Sequence, residues 1–273
     1  MSLEITEQDD VPLRMVLLLW GAAGTGKTTF AGTAPGGKLW LSLGDQEHVS
    51  VMQRRDVKVM PLYKLSHMEL LKHGQNDNPF GLDQILGEDT SIETVVCDSL
   101  TALVDAALRK AVDMKIGAGK GFNPTMEHPG ISAYGGRNAI VLEVMKGLMR
   151  VTAKHGVHLI MTAHEADPER DKEGIVQYIT VMMGGKIVNN MTWRISEIWY
   201  LDEDARGRQL AVRPWLKHRP MKTRMFSGKG EPAFELTYDA DKPDKGQMTI
   251  ASFYEQWAKG NGKLPIPKSR RDK

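Results

Sequence analysis

The segment Gly21-Ala-Ala-Gly-Thr-Gly-Lys-Thr28 constrains this chain more than any other. It fits the pattern G-x-x-x-x-G-K-[ST] in full, follows the apolar run Arg14–Trp20 and opens a helical pattern. A strand that turns through glycines into a helix brings backbone N–H groups and the positive end of the helix dipole together, a cradle for phosphate oxygens. Gly21, Ala22, Ala23, Gly24, Thr25, Gly26, Lys27, Thr28 and Thr29 are therefore the expected nucleotide-binding residues. Lys27 would reach the β- and γ-phosphates, and Thr28 would offer its hydroxyl to Mg²⁺.

The rest of the chain follows the grammar that such a loop needs. Short apolar runs at Arg14–Trp20, Lys38–Leu43, Val57–Leu62, Ile92–Cys97 and Val157–Ala163 predict strands. Their near-continuous apolarity implies burial on both faces, as in a parallel sheet. Helical stripes at Thr101–Ile116 and Arg137–His155 alternate with them, the second ended by Gly156. The expected fold is α/β: a mostly parallel central sheet flanked by helices. Two strand-like runs, Glu197–Asp202 and Gln209–Trp215, predict a C-terminal antiparallel extension of that sheet.

At 273 residues and 41% hydrophobic content the chain suits one large domain. We expect a flexible arm over 1–12, the folded domain over 13–258 and a basic flexible tail over 259–273. The run Met15–Trp20 is far short of the roughly 20 residues that span a bilayer. A single cysteine, Cys97, allows no disulfide within one chain. Both features point to a cytoplasmic protein without a membrane partner. Net charge is only +2, but Arg213–Lys229 holds six basic residues and no acid, and Lys263–Lys273 holds five against Asp272.

Hydrolysis of a bound triphosphate needs an acid to support Mg²⁺, and Asp98, at the end of the Ile92 run, is expected to do so. Ser99 or Thr101 is left to cap the helix that follows. A second group must orient or deprotonate the attacking water. The segment Gly44–His48 lies just past the second strand, at the edge where ligands sit in open α/β folds, and there Glu47 is preferred to Asp45 on reach. His164, closing the Val157 run, is a candidate contact to the γ-phosphate.

The order of these parts resembles RecA-type recombinases. Asp98-Ser-Leu-Thr, Ala133-Tyr-Gly135, Thr162-Ala-His-Glu165 and Lys222-Thr-Arg224 are similar to small bacteriophage RecA-like ATPases of single-strand annealing recombination. The resemblance covers about residues 14–226. It implies a RecA-like P-loop core using ATP and Mg²⁺, self-association into a ring or filament, and single-stranded DNA as partner, with a single-strand DNA-binding protein as a further one. It implies two DNA-facing loops, Gly117–Gly136 and Glu165–Gly184. The first carries Lys120, Phe122 and Tyr134 with Arg137 beyond it, a mixture of charge and stacking surface. The second holds five acids (Glu165, Asp167, Glu169, Asp171, Glu173) against Arg170 and Lys172. Lys222 and Arg224 are expected to present cations to a neighbouring subunit's γ-phosphate. The alternatives left open are a ring translocase or packaging motor, a small-molecule kinase and a non-hydrolysing nucleotide switch.

Overall fold

Alternation of side chains along buried strands decides the architecture of the computed structural model, which describes residues 13–44, 47–62, 81–119, 121–184, 187–204, 207–227, 230–237, 248–260 and 263–267. The first strand, β1 (Val16–Gly21), is buried on both faces. Val16, Leu18 and Trp20 enter one core cluster, while Leu17 and Leu19 enter another.

Elements follow in the order α1 (Lys27–Ala31), β2 (Gly37–Ser42), β3 (Val57–Pro61), α2 (Leu82–Glu88), β4 (Ile92–Asp98), α3 (Leu100–Asp113), α4 (Gly130–Lys154) and β5 (His158–His164). Next come β6 (Glu169–Arg170), β7 (Val176–Tyr178), α5 (Ile187–Thr192), β8 (Glu197–Asp204) and β9 (Gly207–Ala211). Finally, β10 (Phe226–Ser227), β11 (Ala233–Glu235), α6 (Ile250–Lys259) and β12 (Leu264–Pro265) close the chain. An eight-stranded sheet runs β11-β9-β8-β1-β5-β4-β2-β3. The strands from β8 to β3 in this order are mutually parallel, and β9 is antiparallel to both β8 and β11. The expected α/β fold and its antiparallel extension are both present. Helices α3, α4 and α5 pack on one face through Leu103, Ala107, Val144, Leu148 and Met191, and α1 and α6 on the other through Phe30, Ala31, Ile250 and Phe253.

Several expected boundaries change. Helix α4 begins at Gly130, so Tyr134 and Arg137 are helical and the expected first loop loses its last third. Gly135 and Gly136 close the expected loop, yet they are helical, and a Cβ at Gly136 would lie 2.6 Å from Ile116 Cδ1 and 3.3 Å from Ala111 Cβ. Gly136 is small so that α3 and α4 can approach, and that packing overrides its poor helix propensity. The expected second loop contains the hairpin of β6 and β7, whose turn is held by Asp171 accepting from the backbone N–H of Glu173 and Ile175. Strand β9 stops at Ala211, and Trp215 instead sits in a turn bridged to His218. Past α6, Leu264 is buried and β12 pairs with β10, so the expected tail is anchored near its start.

Candidate active site

The loop between β1 and α1 is shaped by contacts that leave no room for larger residues. A Cβ at Gly21 would lie 2.1 Å from the Leu201 carbonyl oxygen, so the turn out of β1 is compatible only with glycine. Gly26 adopts the left-handed region at φ 84° as the residue preceding α1. Lys27 turns its buried ammonium into the loop and donates to the carbonyl oxygens of Gly21, at 3.0 Å, and Ala22. Burial lowers its pKa to about 8, against the opposing pull of Asp98 and Glu165.

Strand β5 lies between β1 and β4, and this order brings distant residues to one sheet edge. Thr28 donates its hydroxyl to one Asp98 carboxylate oxygen at 3.0 Å. Thr162, on β5, donates to the other oxygen. Asp98 is almost fully buried, which raises its pKa; the two hydroxyls and the charge on Lys27 act in the opposite direction. Ser99 caps α3 by accepting from the Ala102 N–H, leaving the Asp98 carboxylate to the site. A hydroxyl beside a carboxylate oxygen is a hard oxygen pair that suits Mg²⁺, and the glycine-lined loop holding Lys27 suits the phosphates that accompany it.

His164 stands opposite Gly21 in the β1–β5 register. Its N–H donates to the Thr101 hydroxyl at 2.9 Å and its carbonyl accepts from Met182 at 2.8 Å. Burial, then the charge of Lys27, lowers the imidazole pKa, so the neutral ring is favoured near pH 7. Glu47 opens a short 3-10 turn, Glu47–Val51, past β2. His48 Nδ1 in that turn lies 3.0 Å from the hydroxyl of Ser42, which is in register with Asp98. The side chain of Glu47 and the whole of Asp45 lie outside the described residues, as does Lys120.

The expected finger residues separate. Lys222 donates from Nζ to the carbonyl oxygens of Thr192 at 3.2 Å and Ile195 at 2.9 Å, satisfying groups at and beyond the end of α5. Arg224 is exposed, and its backbone N–H donates to Glu197. Glu197 pairs with Leu17, four residues before Gly21, about 13 Å down the strand. Of the expected DNA-facing residues, Phe122 is 42% and Tyr134 43% exposed. The Arg137 guanidinium lies 5.0 Å from the Tyr134 ring centroid and also against Gly184, where a Cβ would meet it at 2.7 Å.

Sequence reasoning did not single out Thr162 as an Asp98 partner, although it lies two residues before His164 and so on the same face of the strand. It read Glu165 as the end of the Thr162-Ala-His-Glu165 element and as one of several loop acids, and gave it no partner. Glu165 donates its N–H to the Gly21 carbonyl at 3.1 Å and accepts from the Tyr200 hydroxyl at 3.0 Å. Its side chain also approaches His218, which stacks on Tyr200 with ring centroids 4.1 Å apart.

Among the described residues, no helix is long and apolar enough to cross a membrane. No curated protein matches the chain. A family model described as an AAA domain matches residues 13–225, a span that runs from the start of the sheet through both Lys222 and Arg224. The chain therefore belongs to the AAA domain family, a P-loop type of ATPase domain.

Proposed function

We propose that this ATPase is stimulated by single-stranded DNA, works as a ring or filament, and serves recombination or annealing. The nucleotide half rests on Lys27, Thr28 and Asp98. Magnesium bound with ATP would neutralise developing charge on the β- and γ-phosphates. Thr28 and Asp98 would hold it, Lys27 would hold the phosphates, and Glu47 would orient the attacking water.

The observation that carries the DNA reading is the exposed surface of Phe122 and Tyr134 with Arg137 over the Tyr134 ring. Aromatic faces beside a guanidinium suit unpaired bases of any sequence. Arg137 also touches Gly184, which closes the segment that begins beside His164, so this surface adjoins the chain leaving the phosphate site. The basic stretch Arg213–Lys229 adds phosphate-neutralising charge.

Self-association is supported by Arg224. It is exposed at the opposite end of the strands from its own glycine loop, so it could serve a γ-phosphate only in a neighbouring copy. Titration of a labelled single strand with the protein, ATP and Mg²⁺ tests the reading. Binding should show little sequence preference, weaken as salt rises, and be reduced by Tyr134→Ala with Phe122→Ala. A protein that hydrolyses ATP yet binds no single strand at low salt would refute the DNA assignment.

A further inference from the structure

Arg208 lies on β9, directly opposite Glu203 of β8 in the antiparallel register. Its carbonyl accepts from Leu236 N–H at 2.8 Å, so its backbone is fixed by a strand on one side and by the chain beyond β11 on the other. The side chain crosses to the glycine loop. A Cβ at Gly26 would lie 2.9 Å from Arg208 Nε and 3.0 Å from its Cζ, so the guanidinium rests on the residue that precedes α1. Glu203 Oε2 lies 3.5 Å from Nε, and the Arg208 side chain keeps 27% of its surface exposed.

The sheet order gives this contact a direction. Asp98 approaches the loop from β4, two strands to one side of β1, while Arg208 approaches from β9, two strands to the other. With the terminal phosphates at Lys27 and the Thr28–Asp98 pair, the side of the loop opposite β4 is the one left for a nucleoside end. That direction leads to the β8–β9 hairpin. A guanidinium is planar and stacks on aromatic faces while its edge donates hydrogen bonds, whereas a partly exposed ion pair such as that with Glu203 adds little stability.

We propose that Arg208 holds the nucleoside portion of the bound nucleotide, its guanidinium lying against the base or sugar while Lys27 holds the terminal phosphates. This rests on the nucleotide reading given above and names the residue that separates a nucleotide from a bare polyphosphate. Phosphate groups recognise Lys27 and the loop amides in either ligand; only a nucleoside reaches Arg208.

The test is calorimetric titration of the full chain with Mg²⁺ and ATP, ADP or inorganic tripolyphosphate, for the wild type, Arg208→Ala and Arg208→Lys, with thermal unfolding of each ligand-free protein as a control. Arg208→Ala should weaken ATP and ADP by about tenfold and leave tripolyphosphate unchanged. Arg208→Lys should remain weakened, because it keeps the charge and loses the plane. Equal weakening of tripolyphosphate would make Arg208 a phosphate cation and overturn the proposal. So would unchanged nucleotide affinity, or a loss confined to the unfolding temperature. If the wild type binds tripolyphosphate and nucleotides equally well, the nucleoside contact is refuted while the phosphate loop stands. If it binds none of the three, the nucleotide reading itself falls.

Discussion

Thr28 and Asp98 are 70 positions apart in the chain, and the Thr28 hydroxyl donates to the Asp98 carboxylate at 3.0 Å. Strand β5 lies between β1, which leads into the loop before Thr28, and β4, which ends at Asp98, and its Thr162 completes the other side of the carboxylate. Lys27→Ala, Thr28→Ala and Asp98→Ala should each lower ATP turnover by at least about two to three orders of magnitude, since each removes charge stabilisation at the transferring phosphate. Glu47→Gln should keep nucleotide bound while slowing hydrolysis. Turnover close to wild type in Glu47→Gln would show that another group orients the water.

Lys27 supplies a proton-linked signature. Its ammonium is depressed from 10.5 to about 8, so a large fraction is neutral above that pH. Phosphates placed beside it favour the charged form, so at about pH 9 nucleotide binding should take up protons. Calorimetry in two buffers of different ionisation enthalpy measures this uptake, and Lys27→Met should abolish it.

His158 predicts a loss of stability on acidification. It is buried, its Nδ1 accepts from the Met15 N–H at 3.1 Å, and burial together with nearby Arg14 lowers its pKa from 6.5 to about 4. The unfolded chain therefore binds more protons between those two values, and stability falls as pH drops through the window. Roughly 1 kcal/mol should be lost between about pH 7.5 and about pH 5.5 from this residue. His158→Gln, which retains an acceptor and does not titrate, should flatten that part of the pH profile in denaturant melts.

Much of this arrangement was legible in the sequence. The glycine loop was readable because its spacing is demanded by phosphate geometry, and Asp98 because it follows directly on the apolar run Val95–Cys97 at the end of its strand. The start of α4 was not, because Gly136 is in the helix for the sake of a neighbour, Ile116, that local pattern does not reveal. The β6–β7 hairpin was hidden among charges, one of which, Asp171, organises its turn. The contact of Arg208 with Gly26 joins a strand to a loop far away in sequence and carries no local signal.

Lys222 and Arg224, paired by sequence, should behave differently when replaced. Lys222→Ala leaves the carbonyls of Thr192 and Ile195 without their donor and should lower the unfolding temperature. Arg224→Ala should fold normally and lose roughly 10³ to 10⁵ in assembled turnover if it serves a neighbouring site. Mixing Arg224→Ala with Lys27→Ala should restore part of the activity, because some interfaces then pair an intact loop with an intact arginine. Failure to recover any activity would remove the trans role.

Glu197 connects this segment to the core. Its buried carboxylate accepts from Trp199 Nε1, the Thr223 hydroxyl and the backbone N–H groups of Arg224 and Met225. Glu197→Ala leaves several buried donors unsatisfied and should cost about 3 kcal/mol. Chemical denaturation measures the loss, and a cost near zero would show that water or a local shift replaces the carboxylate.

Steady-state ATP hydrolysis with Mg²⁺, measured for wild type and Lys27→Ala with and without an unstructured single strand, tests the central claim most directly. The wild type should hydrolyse ATP and accelerate on adding the strand, while Lys27→Ala should be inactive in both conditions. A wild-type rate that the strand leaves unchanged would contradict stimulation by DNA. Equal turnover by Lys27→Ala would contradict the assignment of the glycine loop as the catalytic site.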